Sequence, residues 1–350
     1  MTSAKPLVAV CGATGAQGGS VARFLLQEGS FRVRALTRQP ESAKALALSR
    51  QGADIVRADF NEPESLLSAF RGAYAVFCMT NFFDPSAELG KKQVQQGKNI
   101  IDAAKACNIK HFVCSTAEHT GELNVPHWET QAWINDYLLE SRIPRTSYPL
   151  HHDLLREHVG VIPIAEGMAS AAPENLESWT DRSRSSDQVS PTEIKFSWAF
   201  PTDSTFPVYS SADTGGYVLN ILKRPQEFIG RDVKIASEFI SPRDWVSTMN
   251  EVLSTRNTFV RVTLDEIDMK AFEAMRGTVW PEAWLNSSKS AQDLVSNSPF
   301  SHPISPPEML ISNGAPPFRD PAYSRRVFPQ LKTLWEIVDE NWEKILAAAR

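Results

Sequence analysis

The chain has 350 residues, enough for one large core or for a large domain with a smaller companion. A formal net charge of −5 and a pI near 5.9 argue against a nucleic-acid surface as its main business, so any DNA-related role would act through a partner protein. Hydrophobic residues make up 42% of the chain, yet no apolar run approaches the roughly 20 residues that span a bilayer, and no membrane association is expected.

Met1 to Pro6 carry no apolar signal-peptide core and lead straight into Leu7–Cys11, a strand-like run. Val8 to Gly19 reads V-A-V-C-G-A-T-G-A-Q-G-G, with Gly12, Gly15 and Gly18 at three-residue spacing and a helical pattern at Ser20–Gln27. A dinucleotide needs glycines at such a turn so that the backbone can approach the pyrophosphate, and a helix that begins there so that its unpaired N–H groups face the phosphates. The spacing is G-x-x-G-x-x-G, which differs from the usual dehydrogenase G-x-G-x-x-G. Further strand runs follow at Arg32–Leu36, Asp54–Arg57, Ala75–Met79 and His111–Cys114, alternating with helical patterns at Glu41–Arg50, Glu64–Phe70 and Glu88–Cys107. Asn61 and Glu64 read as a capping box, with Pro63 in the first turn. A helix at His127–Glu140 and a short apolar stretch near Arg145–Leu150 extend the alternation, which predicts βαβ units and a Rossmann-type, doubly wound parallel α/β sheet.

Regularity weakens afterwards. Pro173 to Thr192 is polar and Ser-rich and reads as a loop, whereas Ala212–Leu222, Pro242–Leu253 and Leu264–Met275 read as helices and Val233–Ile235 and Val260–Val262 as strands. Asn286 to Pro321 is rich in Ser and Pro and reads as irregular cover. Leu331, Leu334, Trp335, Val338, Trp342, Ile345 and Leu346 form one apolar stripe at helical spacing, read as core packing. We expect a dinucleotide-binding domain over 1–155 and, over 156–350, a smaller, partly irregular α+β substrate or partner region that returns some elements to the first. Cys11, Cys78, Cys107 and Cys114 have no metal spacing and read as free, mostly buried thiols, which fits a reducing compartment, the cytoplasm or the nucleus. No metal site is expected.

Cofactor choice is read from the end of the second strand, where Thr37 and Arg38 stand in place of the acidic residue that binds a ribose 2′-hydroxyl. A guanidinium there suits a 2′-phosphate, hence NADP(H). Asp59 either accepts from the adenine amine or serves as a turn residue, with Phe60 beside it among the candidate cofactor contacts. Thr80, Asn81 and Phe82 follow the fourth strand, where the sheet's carboxyl edge holds ligands, or else the loop is a plug against its neighbours.

G-A-T-G-A-Q-G-G-S-V-A-R (12–23), V-R-A-L-T-R (33–38), Q-G-A-D (51–54), G-A-Y-A-V-F (72–77), T-N-F (80–82), Q-G-K-N (96–99) and V-P-H-W (125–128) together resemble the NmrA-like family of atypical short-chain dehydrogenases. S-A-D-T-G-G-Y-V (211–218) and F-I-G-R-D-V (228–233) continue the likeness to about residue 255. The resemblance implies NADP(H) at Gly12, Thr14, Gly15, Gln17, Gly18, Arg38, Asn81 and Phe82. It implies two functions. One is an NADPH-dependent reductase of small metabolites, including those of secondary metabolism; the other is a redox sensor that controls a partner protein such as a transcription factor.

Three departures concern the chemistry. Short-chain dehydrogenases use Tyr-x-x-x-Lys, and NmrA-like chains commonly keep the lysine, with histidine at the tyrosine position; here the pair is His127 and Gln131, so the cation is lost. A neutral amide can hold a ribose hydroxyl but cannot shift a neighbour's pKa by charge. The next strand ends at Tyr148-Pro149-Leu150-His151-His152-Asp153 in place of Arg-Pro, and the loop at 173–192 has no family counterpart. As an enzyme, the chain would use His127 as proton donor and Ser115 or Thr116 to hold a substrate carbonyl, with Gln131 at the lysine position. His119, His151 and His152 stand nearby in the pattern, and Trp128, Trp133, Trp179 and Trp198 could line a pocket for an aromatic or polycyclic substrate. As a sensor, it would have lost the catalytic cation and kept only binding.

Overall fold

The computed structural model describes residues 4–82, 84–88, 90–119, 126–149, 192–198, 205–256, 260–266 and 319–348. They fall into two compact units, the first built from Met1–His151, Ser211–Ile235 and Arg319–Leu331, the second from the remainder.

The first unit is a six-stranded parallel sheet in the order β3-β2-β1-β4-β5-β6. The strands are β1 (Leu7–Val10), β2 (Arg32–Thr37), β3 (Asp54–Arg57), β4 (Ala75–Cys78), β5 (His111–Thr116) and β6 (Arg145–Pro149). Register runs Val8↔Val33 on one side of β1 and Val8↔Ala75 on the other. Between them lie α1 (Ala16–Glu28), α2 (Ala43–Arg50), α3 (Pro63–Phe70), α4 (Gln93–Ala106) and α5 (Pro126–Ser141). Every residue of β1, β4 and β5 is buried, as parallel strands covered on both faces must be. On one face Ala9, Cys11, Val76, Cys78, Phe112 and Cys114 meet α3, α4 and α5 through Leu66, Phe70, Ile100, Ile101, Ile134 and Leu138. The alternate strand residues face the other way, toward α1.

A later segment completes this unit. Helix α6 (Thr214–Lys223) packs so closely on α1 that a Cβ on Gly215 would lie 2.4 Å from the Ser20 carbonyl oxygen. The short α7 (Pro225–Phe228) follows, and Ser147 then pairs in parallel with Asp232, extending the sheet beyond β6 by one bridge. The expected strand at Val233–Ile235 is thus reduced to a bridge one residue earlier. Helix α9 (Pro321–Val327) also joins this unit and ends at Phe328, whose ring lies against Gly216 and Tyr217.

The second unit has a parallel pair, β7 (Thr192–Trp198) with β10 (Val260–Glu266), and an antiparallel pair, β8 (Phe206–Val208) with β9 (Glu238–Ile240). Its helix α8 (Pro242–Thr255) starts with a true capping box, Ser241 with Asp244. Trp245, Met249, Val252 and Leu253 of α8 share a core with Leu334 and Val338 of α10 (Leu334–Ala348). The Asn250 side chain bonds both backbone groups of Val262, at 2.8 Å each, fixing α8 to β10.

Several expectations need correction. Leu264–Glu266 is strand, not the start of a helix, because β10 pairs with β7 through Glu266; 267–275 lie outside the described residues. Helix α4 starts at Gln93 instead of Glu88, since Glu88 and Gly90 hold left-handed φ values of 49° and 84°. Asn61 does not cap α3: Glu62 takes the N-cap position with no side-chain bond. Helix α1 begins earlier than read, at Ala16, and Ser211–Asp213 is a 3-10 turn ahead of α6. Leu331 belongs to the first unit, ahead of α10, so the C-terminal stripe begins at Leu334. The loop at 173–191 and most of the Pro-rich stretch, 286–318, lie outside the described residues, as do His151, His152 and Trp179.

Candidate functional site

The carboxyl ends of β1, β2, β4 and β5 carry the candidate site. After β1 the chain turns at Gly12, whose φ of 62° favours glycine. The Gly15 N–H donates to the Gly12 carbonyl at 2.9 Å, and the Ala13 N–H donates to Leu36 O at 3.2 Å, tying the turn to the end of β2. Gly18 is required by contact: a Cβ there would lie 2.3 Å from Gly12 O and 2.6 Å from Cys11 O. Gly15 is the N-cap of α1, no side chain caps the helix, and no acidic residue stands in its first turn. Its free N–H groups and positive dipole end therefore suit a pair of phosphates. Thr14 is half-buried on the turn; Gln17 is buried in the first helical turn with its Oε1 unpartnered.

Arg38, just past β2, is half-exposed and makes a bidentate pair with Asp84, Nη1 to Oδ1 at 2.9 Å and Nη2 to Oδ2 at 2.7 Å. Burial alone would raise the Asp84 carboxyl, but bonds from Ser86 and Arg38 outweigh it and hold the group below its usual value. Asp59 acts as a turn residue: its Oδ1 accepts from the Asn61 N–H at 2.9 Å and from the Asn61 amide at 3.2 Å. Phe60 packs against the core, and its carbonyl accepts from Asn99 at 2.8 Å.

On the other side of β1, side chains build the site. Thr80 is buried, with Gln93 Nε2 donating to its Oγ1 at 3.0 Å and Gln131 Nε2 donating to its carbonyl at 2.9 Å. Thr130 Oγ1 donates to Gln93 Oε1 at 2.6 Å, so α4 and α5 jointly hold the end of β4. Gln131 Oε1 is buried and unpartnered, an acceptor suited to a hydroxyl. Asn81 is half-buried, and Phe82 is buried against Gly90, where a Cβ would lie 2.3 Å from the ring. Gln96 reaches from α4 to Ser86 O at 3.1 Å and to Asn61 Oδ1 at 3.3 Å, linking two loops.

At the exit of β5, Ser115 and Thr116 are buried, and Thr116 Oγ1 has no partner. His119 lies between Glu129 (Nδ1–Oε2, 2.7 Å) and Asp136 (Nε2–Oδ2, 2.8 Å). Bonding to Glu129 first, and then to Asp136, raises its pKa. With both ring nitrogens donating, His119 is a charged clamp between β5 and α5. Glu118 meets Lys234 at 2.5 Å and the buried Arg319 at 3.7 Å. Trp128 is half-buried and Trp133 exposed. His127 lies in the first turn of α5, but its side chain, like that of Trp198, lies outside the described residues.

Sequence reasoning missed Gln93, Gln96, Asn99, Asp84, Ser86 and the carboxylate partners of His119. Only Gln96 and Asn99 carried a signal, as part of Q-G-K-N. The cysteines are free; Cys11, Cys78 and Cys114 are buried and Cys107 partly so. Burial, with Cys114 beside it, pushes Cys11 up, and hydrogen bonding to Cys114 together with burial does the same to Cys78, which keeps both thiols neutral. Among the described residues there is no metal-ligating cluster and no helix long and apolar enough to cross a membrane.

The sequence profile of the NmrA-like family matches residues 4–152, the span that carries this geometry apart from Lys234 and Arg319. In that span the chain is similar to the NmrA-like family. The NmrA-like oxidoreductase FrzB of Cladobotryum sp is 42% identical over 138 residues, which cover 37% of this chain and only 41% of that protein. The oxidoreductase cpsB of Aspergillus campestris is 29% identical over 281 residues, 74% of this chain and 76% of that one. Among solved structures, NmrA, described as a negative transcriptional regulator in complex with NADP, superposes with a TM-score of 0.67 at 18% identity, covering 98% of each chain. The Escherichia coli NADPH-dependent quinone oxidoreductase QOR2 gives 0.64 at 18% identity, covering 96% of this chain and 99% of its own. At those identities the structural likeness establishes the Rossmann-type fold of this chain.

Proposed function

We propose that this protein is an NADPH-linked oxidoreductase of a small aromatic or polycyclic metabolite. The observation that carries the reading is the Gly12–Gly18 turn under an uncapped α1, with Arg38 at the end of β2. The turn and the first N–H groups of α1 would hold the pyrophosphate, and Arg38 the 2′-phosphate. The two orphaned amide oxygens, Gln17 Oε1 and Gln131 Oε1, would suit the hydroxyls of a dinucleotide, and Thr80, Asn81 and Phe82, just past β4, would receive its nicotinamide end. When bound, the nicotinamide supplies a hydride. His127 gives the proton to the reduced substrate, Ser115 holds its carbonyl oxygen, and Gln131 orients the ribose without lowering any neighbour's pKa. Relatives described as oxidoreductases, FrzB and cpsB among them, support the choice of reaction.

A second reading, a non-catalytic NADP(H) sensor that controls a protein partner, is favoured by one residue: the neutral Gln131 where related chains keep a lysine. The solved relative NmrA is itself described as a transcriptional regulator. Calorimetry with NADP⁺, NADPH, NAD⁺ and NADH on the full chain and on Arg38→Ala separates the readings. The oxidoreductase reading expects similar binding of both phosphorylated forms, with affinity falling about tenfold or more in the variant, and turnover lost in His127→Gln at unchanged NADPH affinity. A large preference for one redox state, with no reduction of quinone or polycyclic test substrates, would favour the sensor.

A further inference from the structure

Arg38 already has an anionic partner. We propose that Asp84 is a cofactor-specificity determinant, which competes with the 2′-phosphate for the Arg38 guanidinium and so narrows the preference for NADPH over NADH. The inference rests on the assignment of Arg38 to that phosphate.

The carboxylate is fixed by its own loop rather than by the arginine. Its Oδ1 accepts from the Ser86 N–H at 2.8 Å and from the Ser86 hydroxyl at 2.5 Å, and the Ser86 carbonyl is held by Gln96 of α4. Asp84 is therefore set in place whether or not Arg38 meets it. Arg38, in turn, spends the paired face of its fork, Nη1 and Nη2, on that carboxylate. A 2′-phosphate arriving at the same guanidinium meets a fixed negative charge and must take over the fork against like-charge repulsion. A ribose 2′-hydroxyl meets no such conflict: it can donate to the carboxylate, the part that an acidic residue at the end of the second strand plays in NAD-selective folds. Here that acid comes from the loop after β4, 46 residues further along the chain. One site thus presents a cation for one cofactor and a carboxylate for the other, and specificity is the difference between the two affinities.

Asp84→Asn tests this cleanly. Asparagine retains an oxygen at the Oδ1 position for both Ser86 bonds, removes the charge and puts an NH2 donor where Oδ2 accepted from Arg38 Nη2, so the guanidinium is released. Calorimetry with NADPH and NADH on the full chain should show NADPH binding about fivefold more tightly in the variant, with NADH unchanged or weaker. In an Arg38→Ala background the substitution should tighten NADPH less, because only the like-charge repulsion is left to relieve and no guanidinium is set free. If Asp84→Asn leaves NADPH affinity unchanged or weakens it while Arg38→Ala still weakens NADPH, the competition is refuted and the assignment of Arg38 stands. If Arg38→Ala itself leaves NADPH affinity intact, both fall.

Discussion

The two halves of the sheet edge are made of different materials. On the β1–β2 side the site is backbone: a left-handed Gly12, a Gly18 with no room for a Cβ, and the bare end of α1. On the β4–β5 side it is side chains reaching across helices: Gln93 and Thr130 around Thr80, Gln131 on its carbonyl, and His119 between two carboxylates. A backbone cradle admits few substitutions, because peptide groups cannot rotate away. A side-chain scaffold tolerates more and can be rebuilt, because its members can change rotamer or partner. On the proposed function, the constant chemistry of a dinucleotide would fall to the first half, and the part of the site that must suit a particular substrate to the second.

Glycine substitutions probe that contrast with the largest effect. Gly18→Ala should abolish dinucleotide binding and destabilise the fold by about 3 kcal/mol, since the clash is with two backbone carbonyls. Gly97→Ala, on α4, meets the buried Ile134 side chain, Cγ1 at 2.5 Å and Cγ2 at 2.8 Å, so this β-branched neighbour must shift bodily. It should cost about 2 kcal/mol in denaturant unfolding and leave NADPH affinity as it was. An equal loss of binding in both variants would break the distinction between the two halves.

The two ends of β5 sharpen the comparison through pH. His111 opens the strand, fully buried. The Thr146 hydroxyl donates to Phe228 O, so His111 Nε2 must donate to Thr146 Oγ1, at 2.7 Å, and Nδ1 is left unpartnered. Burial lowers its pKa from 6.5 to about 4. The unfolded chain therefore takes up this proton first, and stability present above pH 6.5 should be lost as the pH falls toward 4, by about 2–3 kcal/mol in urea titrations. His111→Asn should flatten that slope. His119, at the other end, has the opposite sign. Its raised pKa gives stability that is full below about 6.5 and lost as pH rises through the folded value. The clamp is partly exposed, so His119→Ala should cost under about 1 kcal/mol at pH 6 and nothing at alkaline pH. A larger loss would mean that the clamp holds more than the start of α5.

By itself the sequence determined the alternation of strand and helix and the place of the glycine turn ahead of α1. These depend on local rules: apolar runs suit buried parallel strands, and glycine spacing sets where a helix may begin against a phosphate. Arg38 was legible for the same reason, as it stands a fixed distance from the glycines. Only the tertiary structure decided what Arg38 meets, since Asp84 lies 46 residues away and nothing local marks it. It also decided that Leu264–Glu266 is strand, because pairing with β7 outweighs local pattern, and that His119 is a clamp, because Glu129 and Asp136 come together only one helical face away from the end of β5. Backbone geometry is written in neighbouring residues, whereas a side-chain network is written in pairs that meet only after the chain has folded.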